Sequence, residues 1–290
     1  MLILDGKACA AEIFTELTER TRQVVDAGKR PPHLVVILVG SHPASETYVA
    51  SKQAHCAQVG FRSTLIRHSN EVAPETFYAE LEALNRDPEV DGILVQLPLP
   101  EQLSETRVIE TIAPEKDVDG FHPVNIGRMS KGLKAYLPAT PGGIVELLRR
   151  NKIDTIGKHC VVIGRSNIVG TPMSLLMARN AYPGNCTVTI CHSKTTDLAH
   201  HTRQADILIV AAGKPEMLTA DMVKPGAVVV DVGIHRVTDP TRPKGYRLVG
   251  DVAYDQVAPL SSAITPVPGG VGPMTIAQLL LNTWEAYPFH

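Results

Sequence analysis

From Pro32 onward the chain alternates short aliphatic runs with amphipathic stretches, and this alternation restricts the fold more than any other feature. HLVVILVG (33–40), RSTLIRH (62–68) and GILVQLPLP (92–100) read as buried strands. Between them, PASETYVASKQAHCAQVG (43–60) reads as a helix closed by glycine, and PETFYAELEALNRD (74–87) as a second helix. SETRVIETIA (104–113) is a third, leading into the loop PEKDVDGFHPVN. Strands that alternate with helices pair in parallel, and ligands of such sheets gather beyond the carboxyl ends of the strands. A helix around GGIVELLRRN (141–151) bridges to a second set: KHCVVIG (158–164), TVTICHS (187–193), ADILIVAAG (205–213) and AVVVDVGI (227–234), with RLVGDV (247–252) a further candidate.

With 290 residues the chain is long for one domain and comfortable for two. The expected fold is therefore α/β in two domains. Residues 1–140, joined by the C-terminal segment 275–290, form one; residues 141–274 form a Rossmann-like second. A formal net charge of −2 excludes a basic field for nucleic acid or an anionic membrane. The five cysteines include no C-x-x-C pair, which suits reduced thiols in a cytoplasmic protein. No H-E-x-x-H is present, and the neighbouring His200 and His201 should point apart on a helix, so no metal is expected. MLILDGKACAAEIF does not read as a targeting peptide, and the uncharged stretch 261–284 is too rich in proline and glycine for a membrane helix.

GRSNIVG (164–170) follows strand 158–164 and precedes a helical run, TPMSLLMARNA, the order of a dinucleotide phosphate loop. Ser166 replaces the second glycine of G-x-G-x-x-G, and Gly170 falls one residue late. Where an NAD-preferring domain places an acid for the ribose hydroxyls, this chain has Cys191-His192-Ser193-Lys194-Thr195, with Arg165 in the loop. Hydroxyls and cations suit a 2′-phosphate, so the expected cofactor is NADP. In the first half, Tyr48 and Lys52 share a helix face. Gln96 is an amide at the carboxyl edge of an apolar strand, and KDVDGF offers Asp117 and Asp119, one or both of which could be turn residues. A short-chain dehydrogenase would carry its glycine loop before the Y-x-x-x-K helix; here the order is reversed. Finally, PVPGGVGPMT (266–275) concentrates residues that suit either a rigid loop or a close backbone approach to a flat ligand.

Taken together, YVASK, VQLPLP, KDVDGFHPVN, PATPGG, GRSNIVGTP and PVPGGVGPMT occur in the order that resembles the bifunctional methylenetetrahydrofolate dehydrogenase/methenyltetrahydrofolate cyclohydrolase family, over essentially the whole chain. The resemblance implies NADP-dependent oxidation of 5,10-methylenetetrahydrofolate and hydrolysis of the methenyl product to 10-formyltetrahydrofolate. It also implies an active site in the cleft between an N-terminal folate domain and the NADP domain. Lys52 matches the family's catalytic lysine, Tyr48 the tyrosine near the folate rings, Gln96 the glutamine that holds the lysine, and Asp119 the acid that pairs with the pterin. The surrounding folate positions are Val49, Ala50, Ser51, Val95 and Leu97, with Pro268, Gly269, Gly270, Val271 and Gly272 as a loop over bound folate. Gly164, Arg165, Ser166, Ser193 and Ile234 match positions lining NADP. Such relatives are commonly homodimers.

Overall fold

The computed structural model describes residues 1–242 and 245–288. In chain order, β1 (Leu2–Ile3), α1 (Gly6–Asp26), β2 (His33–Val39), α2 (Pro43–Gln58), β3 (Arg62–His68), α3 (Pro74–Arg86) and β4 (Gly92–Gln96) are followed by α4 (Glu105–Thr111) and α5 (Pro123–Ser130). Next come α6 (Ala139–Arg150), β5 (His159–Ile163), α7 (Gly170–Ala178), β6 (Thr187–Cys191), α8 (Leu198–Thr202), β7 (Ile207–Val210) and β8 (Val228–Asp231). The chain ends with β9 (His235–Thr238), β10 (Tyr246–Val249), α9 (Tyr254–Val257), β11 (Ala263–Ile264) and α10 (Val271–Ala286). It divides into two compact units. One comprises 11–139 and 276–290; the other comprises 1–10 and 140–275.

The first unit holds a parallel three-stranded sheet in the order β3-β2-β4. All seven residues of β2 are buried, as expected of a central strand covered on both faces. Phe77, Leu81, Ile37, Ile93 and Val108 belong to one core cluster there. Each such side chain contributes about 1.5–3 kcal/mol when fully buried. Proline stands at the start of α2 and α3, where its missing N–H would be unpaired in any case. Strand β4 stops at Gln96 because Pro98 and Pro100 cannot donate to a ladder.

The second unit holds six parallel strands in the order β1-β11-β8-β7-β5-β6. Its core includes Val161, Ile163, Leu208, Val210, Val229 and Ile264. The candidate strand at 247–252 is real at Tyr246–Val249 but lies outside this sheet. It pairs antiparallel with β9 in a two-stranded ribbon, and its burial alternates as a half-exposed hairpin requires. The sheet is extended instead by β11 and β1, each only two residues long, too short to leave a periodic signal. Val271 and Gly272 belong to α10, so the last helix begins before the PVPGGVGPMT stretch has ended.

Candidate active site

Tyr48 and Lys52 project from α2 one turn apart, Tyr48 48% exposed and Lys52 half-buried. Parallel pairing sets Leu38 of β2 beside Gln96 of β4, which brings that amide to the end of the sheet from which α2 departs. Lys52 Nζ donates to Gln96 Oε1 at 2.9 Å, and Gln96 Nε2 donates to the Leu97 carbonyl at 2.8 Å. The amide is thus oriented with its oxygen on the amine. Burial lowers the Lys52 pKa, against an opposing pull from the Asp119 charge. Burial likewise raises Asp119, and Lys52 partly offsets it. Cys56, the next residue along this face, is buried and its thiol is pushed up to about 12. Val49 and Val95 are buried, Ser51 and Leu97 half-buried and Ala50 exposed.

The two acids separate clearly. Asp117 is 3% exposed and accepts N–H groups from His122 at 2.8 Å and Phe121 at 3.3 Å, with the Asn125 amide at 2.9 Å. It knits the turn, and burial pushes it up to about 6. The Asp119 carboxylate accepts no hydrogen bond among the described residues and faces the Lys52 charge. Gly92 explains how the acidic loop comes so close to β4: a Cβ there would lie 2.7 Å from a Val118 methyl. Lys116 C=O accepts the Ile93 N–H at 2.8 Å, continuing the sheet edge toward Asp119. Asn282 of α10 donates to the carbonyls of Val118 and Leu137, both at 2.8 Å, and is itself held by Gln278. The sequence reading missed Gln278 and Asn282, although two amides four apart in an apolar helix are a usable signal.

In the other unit, β5 lies between β6 and β7, so the crossover out of β5 runs one way across the sheet and the next, out of β6, runs back past it, making a switch point beside β5. A cavity of ≈ 470 Å³ lies elsewhere in this unit, beside Leu2 and Ser262, but the one of ≈ 390 Å³ opens at that switch point. Ile163, Leu198 and Met217 supply apolar wall; Arg165, His192, Ser193, Thr195 and Lys214 supply polar groups. Gly164 and Ala211 complete the approach of the loops: a Cβ on Gly164, whose φ is +127°, would meet the Ala211 carbonyl oxygen at 2.4 Å. Gly170 performs the close-packing role of the last glycine, since a Cβ there would lie 2.2 Å from the Gly164 oxygen. Ser166 turns its hydroxyl to the N–H groups of Val169 and Gly170 at 3.2 and 3.4 Å, capping the start of α7 rather than lining the cavity. Ile234, 50% exposed past the end of β8, is not among the lining residues either. Among the described residues no acid lines this cavity, and a guanidinium and a hydroxyl do; that donor set fits a nicotinamide dinucleotide carrying a 2′-phosphate.

The glycines of 268–272 have reasons within their own unit. A Cβ on Gly6 would lie 1.7 Å from the Gly270 oxygen, and Lys7 N–H donates to the Gly269 carbonyl at 3.0 Å. A Cβ on Gly270 would meet Thr265 and Pro266 at 2.7 and 2.6 Å. Only Gly272 has open space at its Cβ position; Pro268 is exposed and Val271 buried. His200 and His201 do not point apart: their rings meet edge to face at 5.4 Å on the five-residue α8, too short to fix their directions by helical periodicity alone. Among the described residues no group of three or more histidine, cysteine or acidic side chains could hold a metal ion, and no helix is long and apolar enough to cross a membrane.

Comparison with known proteins agrees along the full chain. Residues 4–119 match the tetrahydrofolate dehydrogenase/cyclohydrolase catalytic domain, and residues 138–290 the NAD(P)-binding domain of the same family. The bifunctional protein FolD of Cytophaga hutchinsonii is 56% identical over 286 residues, covering 99% of each chain. The crystal structure of the bifunctional FolD dehydrogenase/cyclohydrolase from Campylobacter jejuni superimposes with TM-score 0.92 at 47% identity, over 99% of this chain and 98% of that one. The Trypanosoma brucei enzyme, solved with NADP cofactor and inhibitor, gives TM-score 0.92 at 38% identity, over 99% and 97%. This chain belongs to the tetrahydrofolate dehydrogenase/cyclohydrolase family.

Proposed function

We propose that Lys52, Gln96 and Asp119 carry the folate chemistry of this bifunctional enzyme, which oxidises 5,10-methylenetetrahydrofolate with NADP and hydrolyses the methenyl product to 10-formyltetrahydrofolate. The observation that carries the assignment is the half-buried Lys52 amine, held 2.9 Å from Gln96 and lowered in pKa by burial. A cationic methenyl substrate nearby would lower it further and favour the neutral amine. NADP, when bound, accepts the hydride that the methylene carbon loses. In the second reaction neutral Lys52 takes a proton from water as its oxygen bonds to the methenyl carbon. It then returns that proton to the pterin nitrogen as the carbon–nitrogen bond breaks, while the adduct hydroxyl releases its own proton to solvent and becomes the formyl C=O. Asp119, free of other hydrogen bonds, accepts a parallel pair of N–H groups from the pterin and fixes its orientation. Tyr48, one turn from Lys52, offers its ring to the folate.

NADP occupies the cavity at the end of β5 in this reading, with Arg165 and Ser193 toward the 2′-phosphate; Gly164 gives the pyrophosphate close backbone access. Ser166 contributes by holding the start of α7, and Ile234 by apolar contact. The protein works in the cytoplasm, consistent with five buried cysteines that form no disulfide. It works as a homodimer through the β6 edge, where Ile190 is 44% exposed; sedimentation of an Ile190→Lys variant tests that contact.

Lys52→Met and Lys52→Arg test the mechanism. Each should abolish most methenyl hydrolysis, a loss of about 10² to 10⁴-fold, while reducing hydride transfer less. Arginine stays protonated and cannot serve as the base. Full hydrolysis by Lys52→Arg would refute the role given to the amine.

A further inference from the structure

Asp251 is fully buried and is not one of the groups that line the cavity at the end of β5, yet its carboxylate gathers the loop that does. Oδ2 accepts the N–H groups of Ala212 at 2.6 Å and Gly213 at 2.9 Å. Oδ1 accepts the Lys214 N–H at 2.9 Å and lies 2.7 Å from His235 Nε2. Three successive amides leaving β7 therefore turn onto one side chain. Of these residues Ala212 and Lys214 line the cavity, as does Ala211 just before them. Fixing three adjacent peptide planes fixes this wall, and a buried carboxylate is the strong acceptor that can do so.

A second carboxylate secures the first. Asp231, at the end of β8, accepts the N–H groups of Asp251 at 2.9 Å, Val252 at 3.0 Å and Gly233 at 3.0 Å. The packing leaves no room for adjustment: a Cβ on Gly250 would lie 1.8 Å from Asp231 Oδ2, and one on Gly233 2.5 Å from Asp251 Oδ1. Asp251 is thereby held from behind by the strand that neighbours β7 in the sheet.

We infer that Asp251 is a positioning residue for NADP: it preorganises the 211–214 wall of the cofactor cavity and acts on the cofactor only through that wall. The inference rests on the assignment of NADP to this cavity. Preorganisation lowers the ordering cost of binding, so its loss appears in cofactor affinity rather than in the turnover of the saturated enzyme.

The experiment uses the full chain with NADP, comparing wild type, Asp251→Asn and Arg165→Ala. Asp251→Asn keeps the size of the side chain but turns an N–H₂ toward amides that need an acceptor. The NADP KM should rise about tenfold or more, corresponding to loss of one or two charge-assisted hydrogen bonds. The kcat at saturating NADP should change less than about twofold, and hydrolysis of methenyltetrahydrofolate without NADP should persist. Arg165→Ala tests the cavity itself. If it leaves the NADP KM unchanged, the cavity assignment fails; if it raises the KM while Asp251→Asn does not, only the positioning role fails. Parallel loss of NADP affinity and hydrolysis would make Asp251 a folding residue and overturn the inference. Should Asp251→Asn not fold, amide exchange on the wild type decides: Ala212, Gly213 and Lys214 should be protected without NADP. Rapid exchange that only NADP suppresses would overturn the role.

Discussion

At Lys52 the groups brought together are side chains: an amine on α2, an amide ending β4 and a carboxylate on the loop beside it. At the end of β5 much of the surface is backbone, brought close by Gly164 and Gly170 and held by buried carboxylates that stand behind the wall. The contrast follows from the tasks. Proton transfer needs titratable groups with altered affinities, whereas a dinucleotide needs many fixed dipoles and close approach. Substitutions should therefore fail differently in the two places, activity first in one and cofactor affinity in the other.

The largest effect expected at a single side chain in the folate unit, apart from Lys52, is at Asp119. Asp119→Ala should lower kcat/KM for both reactions by about 10²-fold, the worth of one or two charge-assisted hydrogen bonds, with little change in thermal stability. Asp117→Ala should do the reverse, because it strips an acceptor from two buried donors and a half-buried one. Its stability should fall by about 1–3 kcal/mol, read by urea unfolding. If Asp117→Ala proves the more damaging to turnover of the folded protein, the distinction between the acids is wrong.

Gly170→Ala probes the backbone-built region. Its Cβ would have to displace the Gly164 carbonyl, so a loss of about 1–3 kcal/mol in stability is expected from overpacking. NADP affinity should fall with it, while methenyl hydrolysis without NADP continues in the protein that remains folded. Undiminished NADP affinity would show that the loop tolerates what the geometry forbids.

Arg165→Ala should be milder. We expect roughly tenfold weaker NADP binding, about the value of one charge-assisted contact, and little change for NAD. Equal losses for the two cofactors, measured by titration, would remove Arg165 from the 2′-phosphate.

The smallest effect is a pH dependence. Burial pushes Asp231 up to about 6 from an ordinary 3.8, so its proton is held more tightly in the folded state than in the unfolded one. Its contribution is fully present below the unfolded value and is lost as pH rises through about 6. Relative to Asp231→Asn, the wild type should gain about 1 kcal/mol of stability between pH 6 and pH 5. Urea unfolding at the two pH values measures the difference, and a gap that is constant or reversed would contradict the burial effect.

Much of this molecule was legible in local pattern. Hydrophobic runs located β2, β5, β7 and β8, because a strand buried on both faces must be apolar along its length, whereas the half-exposed edge strands β3 and β6 carry shorter apolar runs. The strand–glycine–helix order at 164–170 located the turn from β5 into α7, and a polar amide ending an apolar strand singled out Gln96. Tertiary structure alone decided which aspartate is open, that Asp251 holds a loop 37–39 residues away in sequence, and that Asn282 anchors Val118 across 164 residues. It also decided that residues 1–10 group with 140–275, and that Gly270 is required by Thr265 and Pro266. The physical reason is range. Periodicity records which face of an element meets the core, a local property; hydrogen-bond partners and forbidden Cβ positions depend on which distant segments share that core.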